Sequence, residues 1–263
     1  MKTALITGAS SGMGLEYSRQ LAAIGYDIIV VSNREEENKT VARMLHLSYG
    51  VRTYPLYCDL TKNDAAEKIY DWIHQQELLI DVLVSNAGIL QFGLVKHSSL
   101  ENLEKITQLH CLQPAKLLYL VGGDMIKRHF GYILVVSSVS AWTKYPTIAM
   151  YSATKAFLRN LSESLWFEYR MEGVSVTTVY PGAVDTPLYS LDDSKRKWLL
   201  RFGVMLSAQN VAKKALRGMF KKKRRVVPGI FNRLSLFLVC ITPAWLILLI
   251  MRIPPIRCIL KKA

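Results

Sequence analysis

Short, uninterrupted runs of β-branched and aliphatic residues recur from the start of the chain, separated by stretches long enough for a helix. They read as strands at TALIT (3–7), DIIVVS (27–32), VRTYPLYC (51–58), IDVLVSNAG (80–88), YILVVSS (132–138) and VSVTTVYPG (174–182), with RRVVPG (224–229) as a seventh. The runs are continuous rather than alternating, which is the pattern of parallel strands covered on both faces. Strands joined by helix-length segments, such as GLEYSRQLAAIG (14–25), specify an α/β fold with a doubly wound parallel sheet. Nothing before residue 185 resembles a linker, so one domain is expected over 1–229, with a lid at 187–220. Residues 230–263 form an apolar and basic C-terminal extension.

The chain has 263 residues, about half of them apolar, and a formal charge of +14. That charge is not spread evenly. Ser194 to Ala263 holds seventeen Lys and Arg and no Asp or Glu; the remainder has seventeen basic and twenty acidic residues, a net of −3. The basicity therefore belongs to the tail. A nucleic-acid partner is not expected, because no aromatic stacking face or reading motif accompanies KKKRR (221–225). Cys58, Cys111, Cys240 and Cys258 lie far apart without metal-ligand spacing, so no metal is expected and the thiols read as reduced and buried. The start MKTALITG lacks the long apolar stretch of a secretory signal and reads as part of the fold.

Directly after the first strand, TGASSGMG (7–14) opens a helix. Glycines at 8, 12 and 14 allow a tight turn and let backbone amides approach a pyrophosphate at the helix N-terminus, where the dipole favours anions. The candidate cradle is Thr7, Gly8, Ser10, Ser11, Gly12, Met13 and Gly14. The second strand ends at Asn33 and Arg34, where a chain selecting NAD places an acid for the ribose hydroxyls. A guanidinium there can instead hold a 2′-phosphate through forked hydrogen bonds, so NADPH is expected in preference to NAD. The alternative is a solvated Arg34 beside Glu35 to Glu37.

YSATK puts Tyr151 and Lys155 four apart on a predicted helix, sharing one face. A free tyrosine, with a pKa of about 10, is a poor acid–base catalyst near neutrality. A neighbouring ammonium would stabilise its phenolate and bring it into range. Ser138, at the expected end of the fifth strand, lies at the carboxyl edge where such sheets bind ligands. Its hydroxyl can hydrogen-bond a carbonyl or alcohol.

With these motifs in order, the sequence resembles the short-chain dehydrogenase/reductase superfamily, over roughly Lys2 to Gly229. The motifs are TGxxxGxG (Thr7–Gly14), Asp59 after the third strand, Asn86-Ala87-Gly88, Ser138, Tyr151-x-x-x-Lys155, and Pro181-Gly182-Ala183-Val184-Asp185-Thr186. The resemblance implies a Rossmann-type fold and an NAD(P)-dependent oxidoreductase acting on CH–OH and C=O groups. It implies that Asp59 contacts adenine, that Asn86 steadies the central strand or the cofactor, and that Lys155 also binds the nicotinamide ribose. Pro181, Gly182, Val184 and Thr186 would border the nicotinamide. For Asp59 a helix cap in DLTKND (59–64) is the competing reading.

The family's fourth catalytic residue, an Asn, is replaced here by His110. Pro114 has no N–H to return to the His110 carbonyl, which is thereby left able to bind a water. His110 joins the candidate catalytic set through that backbone oxygen, with its imidazole expected to be packed or hydrogen-bonded.

Within the lid, residues 188–207 are rich in Leu, Trp, Phe and Met, consistent with an apolar substrate. Leu234 to Met251 is an uncharged run broken by Pro243, with Pro254 and Pro255 beyond. As one helix it would extend about 27 Å, barely enough to span a bilayer of about 30 Å. Cations at both ends fit a kinked helical pair lying in one leaflet, so residues 221–263 are expected at a membrane surface on its cytoplasmic side. An extension that covers the active site or a dimer interface, in a cytoplasmic protein, is the other reading. The function expected is reduction of a lipid-like carbonyl: a long-chain ketone such as a ketosphingoid base, a ketoacyl lipid or a steroid. A hydroxysteroid-type dehydrogenase running oxidatively and a cofactor-binding membrane protein with weak catalysis remain alternatives. A homodimer or homotetramer is expected from the resemblance alone.

Overall fold

The computed structural model describes residues 2–90, 92–186, 199–200 and 204–252. Seven strands form one parallel sheet: β1 (Lys2–Thr7), β2 (Tyr26–Ser32), β3 (Thr53–Tyr57), β4 (Ile80–Ser85), β5 (Gly131–Val136), β6 (Val174–Val179) and β9 (Arg225–Val226). Their order is β3-β2-β1-β4-β5-β6-β9. The order in which strands are laid down reverses between β1 and β4, so a crevice opens there at the carboxyl ends of the strands, where ligands of open α/β sheets bind. Two further strands, β7 (Ala183–Asp185) and β8 (Met205–Ser207), make a small parallel pair above that edge.

The continuous apolar strands are explained by cover on both sides. One face packs against α1 (Gly12–Ala22), α2 (Glu35–Tyr49) and α7 (Ala208–Phe220), through Tyr17, Leu21, Leu45, Ala212, Leu216 and Met219. The other meets α3 (Ala65–Gln75), α5 (Gln113–Lys127) and α6 (Ala149–Met171), through Ile69, Ile73, Leu117, Val121 and Leu158. Residues 208–220, read from sequence as part of a lid, therefore form a core helix. The lid residues 187–198 and 201–203 lie outside the described residues.

α4 (Leu100–Thr107) runs into α5 through a wider π-helical turn at Gln108–Leu112, in which the Gln113 N–H donates to the Gln108 carbonyl. This widening sits where Pro114 interrupts the α-helical ladder. Beyond β9, α8 (Ile230–Ile241) and α9 (Ala244–Arg252) are separated at Thr242 and Pro243. The apolar run is thus two short helices. Among the described residues no helix is long and apolar enough to cross a membrane. Pro254, Pro255 and the cations Arg257, Lys261 and Lys262 lie outside the described residues.

Candidate active site

The turn after β1 has the shape its glycines dictate. Gly8 has φ +66°, and a Cβ added at Gly14 would stand 2.0 Å from the Gly8 carbonyl oxygen. Any side chain at 14 would push the turn open. The turn is also tied to the end of β4. Thr7 Oγ1 accepts hydrogen bonds from the backbone N–H groups of Asn86 (3.0 Å) and Ala87 (3.1 Å), while Asn86 Nδ2 donates to the Thr7 carbonyl at 3.0 Å. Asn86 thus locks β1 to β4 at the point where the crevice opens.

A cleft of about 430 Å³ begins at this turn. It is lined by Gly8, Ser10, Ser11, Gly12 and Met13, by Asn33, Arg34 and Asp59, and by Asn86, Ala87 and Gly88. Ser138, Tyr151, Lys155, Pro181, Gly182, Val184 and Thr186 complete it from the other side. Thr7, Gly14 and His110 stand behind that wall rather than in it. A glycine turn too tightly packed for any Cβ, at a helix N-terminus, suits a pyrophosphate, and Arg34, Lys105 and Lys155 with Asp59 supply three cations and one anion along the cleft. These residues fit a dinucleotide. Ser32, Leu60, Thr61, Ile89, Lys105, Leu109, Val136 and Ser137 also line the cleft, although no motif in the sequence points to them. Several of them directly adjoin the motifs, which is the signal that could have found them.

Arg34 precedes α2, and its N–H donates to Ser32 Oγ at 3.1 Å. Glu35 and Glu36 both pair with Lys39, and no ion pair engages Arg34 among the described residues. Asp59 does not cap α3; Asp64 occupies that position, and Asp59 Oδ1 instead accepts the Thr61 N–H at 3.0 Å. This turn holds Asp59 at the cleft wall. Cys58 lines the cleft too, but burial raises its thiol to about 11, so it stays protonated near neutrality.

β5 ends at Val136, two residues before Ser138. Ser138 instead begins a 3-10 turn (Val139–Trp142), where its Oγ accepts the Ser140 N–H at 3.1 Å. The Val139 N–H donates to the Pro181 carbonyl at 3.0 Å and brings that turn against the Pro181–Gly182 loop. Tyr151 and Lys155 lie on the first turns of α6, as their spacing predicts. Lys155 is buried, donates to the Val136 carbonyl at 3.0 Å, and stands 5.7 Å from the centre of the Tyr151 ring. Burial pushes its ammonium down to about 8. Near neutral pH it is still charged, and its burial leaves that charge weakly screened by solvent.

His110 is fully buried and both ring nitrogens are engaged. The Ile89 N–H donates to Nε2 at 3.0 Å, so the ring proton lies on Nδ1 and faces Thr154 Oγ1 at 2.9 Å. Thr154 Oγ1 donates in turn to the Tyr151 carbonyl at 2.9 Å. Burial first, and the Lys155 charge second, hold the imidazole well below its usual range. It is neutral, and its face meets the Tyr151 ring edge-on with centres 5.7 Å apart. The imidazole ties the loop after β4 to the start of α6, leaving neither nitrogen free for proton transfer.

Comparison with known proteins agrees with this architecture. The short chain dehydrogenase family model matches residues 2–197. The 17-beta-hydroxysteroid dehydrogenase type 3 of Mus musculus is 33% identical over 189 residues, covering 70% of this chain and 61% of that protein. The very-long-chain 3-oxoacyl-CoA reductase of Rattus norvegicus is 32% identical over 189 residues, covering 70% and 60%. The matched region thus spans about three fifths of the length of these two relatives. A short-chain dehydrogenase from Sphingobium yanoikuyae, solved in complex with NADPH, superposes with a TM-score of 0.79 at 24% identity, over 93% of this chain and 97% of that one.

Proposed function

The chain belongs to the short-chain dehydrogenase family; from that premise we propose that it is an NAD(P)-dependent oxidoreductase that uses NADPH to reduce the carbonyl of a hydrophobic, lipid-like substrate. The observation that carries the reading is the convergence of Ser138, Tyr151 and buried Lys155 on one cleft with the glycine turn. Two relatives whose names specify a steroid and a very-long-chain acyl substrate support a long or polycyclic ketone.

When bound, the nicotinamide supplies the hydride that adds to the carbonyl carbon. The chain supplies the rest. Ser138 Oγ hydrogen-bonds the carbonyl oxygen and orients it. The Tyr151 hydroxyl gives its proton to that oxygen, completing the alcohol. The Lys155 ammonium stabilises the phenolate left behind and holds the ribose hydroxyls. His110 acts only through its backbone carbonyl, as a water site on the proton path. Arg34 takes the adenosine 2′-phosphate, which is the basis for NADPH over NAD. Asp59 holds the adenine, and Thr186 with Val184 borders the nicotinamide.

We assign the enzyme to the cytoplasmic face of a membrane, as a homodimer or homotetramer. The oxidative direction, a hydroxysteroid-type dehydrogenase, is the same chemistry reversed. The test follows NADPH consumption by detergent-purified protein given a ketosphingoid base, a ketosteroid and a small water-soluble ketone in parallel. Consumption with the amphiphiles alone is expected. Turnover of the small ketone alone, or faster use of NADH, would overturn the reading.

A further inference from the structure

α8 is built the wrong way round for a helix on a water-soluble protein. Its buried face carries Asn232, 8% exposed, whose Nδ2 donates to the Pro228 carbonyl at 2.6 Å. The Asn232 amide fills the space beside Gly182, where a Cβ would meet its Oδ1 at 2.1 Å. The outer face carries Ile230, Phe231, Leu234, Phe237 and Leu238, all exposed, with Ile230 at 82%. At 3.6 residues per turn these five cover an arc of about 120°. α9 continues the pattern with Trp245 (65% exposed), Leu248 and Leu249, spaced i, i+3, i+4 on one face.

The cations sort themselves by position. β9 runs parallel to β6 with Arg225 beside Thr178, and Thr177 Oγ1 donates to the Lys223 carbonyl. Lys221, Lys222 and Lys223 therefore lie toward the amino edge of the sheet, whereas α8 starts at its carboxyl edge beside the cleft. Arg224 stacks on Trp166 and Phe167, and Arg225 pairs with Glu163. The KKKRR run is thus removed from the apolar face. The charge next to that face is exposed Arg233, in a stretch from Ser194 onward that contains no acid.

We propose that the outer face of α8 and α9 docks on a bilayer bearing anionic headgroups, with Asn232 fixing this wedge to the Pro181–Gly182 turn so that the cleft is held at the lipid surface. An apolar arc without a single acid suits hydrocarbon rimmed by negative charge, and Arg233 at its flank meets the headgroups. The wedge is too short to cross; it lies in one leaflet. The proposal deepens the lipid-substrate reading by naming where the substrate is met, and it rests on that reading only for its purpose.

The test is flotation of the full chain with vesicles of phosphatidylcholine alone and of phosphatidylcholine with phosphatidylglycerol, alongside the Ile230→Asp/Phe237→Asp double variant. Wild type is expected to float with the anionic vesicles, and the double variant to bind at least about tenfold less, with unchanged melting and NADPH binding. Arg233→Glu is expected to weaken binding to anionic vesicles selectively. Wild type that floats with neither vesicle, or a double variant that floats equally, overturns the proposal. So does a wild type that stays off vesicles as a dimer which the double variant splits, since the face would then join two copies. Flotation needs no turnover, so an inactive protein that floats would sink the catalytic reading and leave this one standing.

Discussion

α1 and α8 stand near opposite ends of the described chain, and both bring an end to the same cleft in opposite ways. α1 buries Tyr17 and Leu21 against the sheet and presents its N-terminus to the glycine turn. α8 buries an asparagine and turns its apolar side outward. The first helix is held by the ordinary burial of hydrocarbon, each large side chain stabilising by about 1.5–3 kcal/mol. The second is held by close contact at Gly182 and with the Val139–Trp142 turn, and by hydrogen bonds from Asn232 and Arg233 to the Pro228 and Val227 carbonyls just before it, with its exposed hydrocarbon left for something else. A helix's apolar stripe says that a face will be covered, not which partner covers it.

The sharpest way to break this comparison is to remove the chemistry that both helices flank. Tyr151→Phe is expected to lower turnover by roughly 100- to 10,000-fold while NADPH binding persists, read by cofactor fluorescence beside steady-state kinetics. Retained turnover would mean that the cleft does no proton transfer at Tyr151.

Lys155 gives the next largest effect, in stability. Its folded value of about 8 lies below the ordinary 10.5, so between those values the unfolded chain holds a proton the folded one has shed. The folded state therefore gains stability as pH rises through that window, and the gain is lost on descending through about 8. Over the whole window this amounts to roughly 3 kcal/mol, and Lys155→Met removes it. Denaturant titrations of both proteins at either end of the window measure the slope.

Gly14→Ala against Leu234→Ala compares the two helices directly. The methyl at 14 meets a backbone oxygen and is expected to destabilise by about 1–3 kcal/mol. Truncating exposed Leu234 is expected to stay within about 0.5 kcal/mol in the absence of lipid. Smaller still, Arg34→Ala is expected to weaken NADPH binding by about tenfold and leave NADH binding unchanged, by titration calorimetry. Asn232→Ala, which loosens the Gly182 contact, is expected to raise the cofactor Kd only about threefold without changing flotation.

The two helices also differ in how far the sequence disclosed them. The glycine turn was legible because strand, turn and helix are contiguous: Gly8, Gly12 and Gly14 announce their own geometry. The Tyr151–Lys155 pair was legible for the same reason, since one helical turn relates them. The lid bounds 187–220 run past the apolar stretch 188–207 into residues 208–220, where Val211, Ala212, Ala215, Leu216 and Met219 carry the period of a core-facing helix. The His110 link to Thr154 spans 44 residues and depends on a tertiary contact that no local pattern encodes. The inward turn of Asn232 was hidden for a similar reason: the apolar spacing of α8 is the same whichever way the stripe faces. Separation of Lys221–Lys223 from that stripe required the strand register.

The most direct test of the account supplies NADPH deuterated at both C4 positions and a long-chain ketone in detergent micelles to wild type and to Tyr151→Phe, and looks for deuterium on the carbinol carbon by mass spectrometry. One deuterium per alcohol from wild type, and roughly 100-fold or more less labelled alcohol from the variant in the same time, is the predicted result. Tight NADPH binding without transfer of deuterium to long-chain, steroid or small ketone would contradict it, and would leave a family fold that holds its cofactor without performing the reduction.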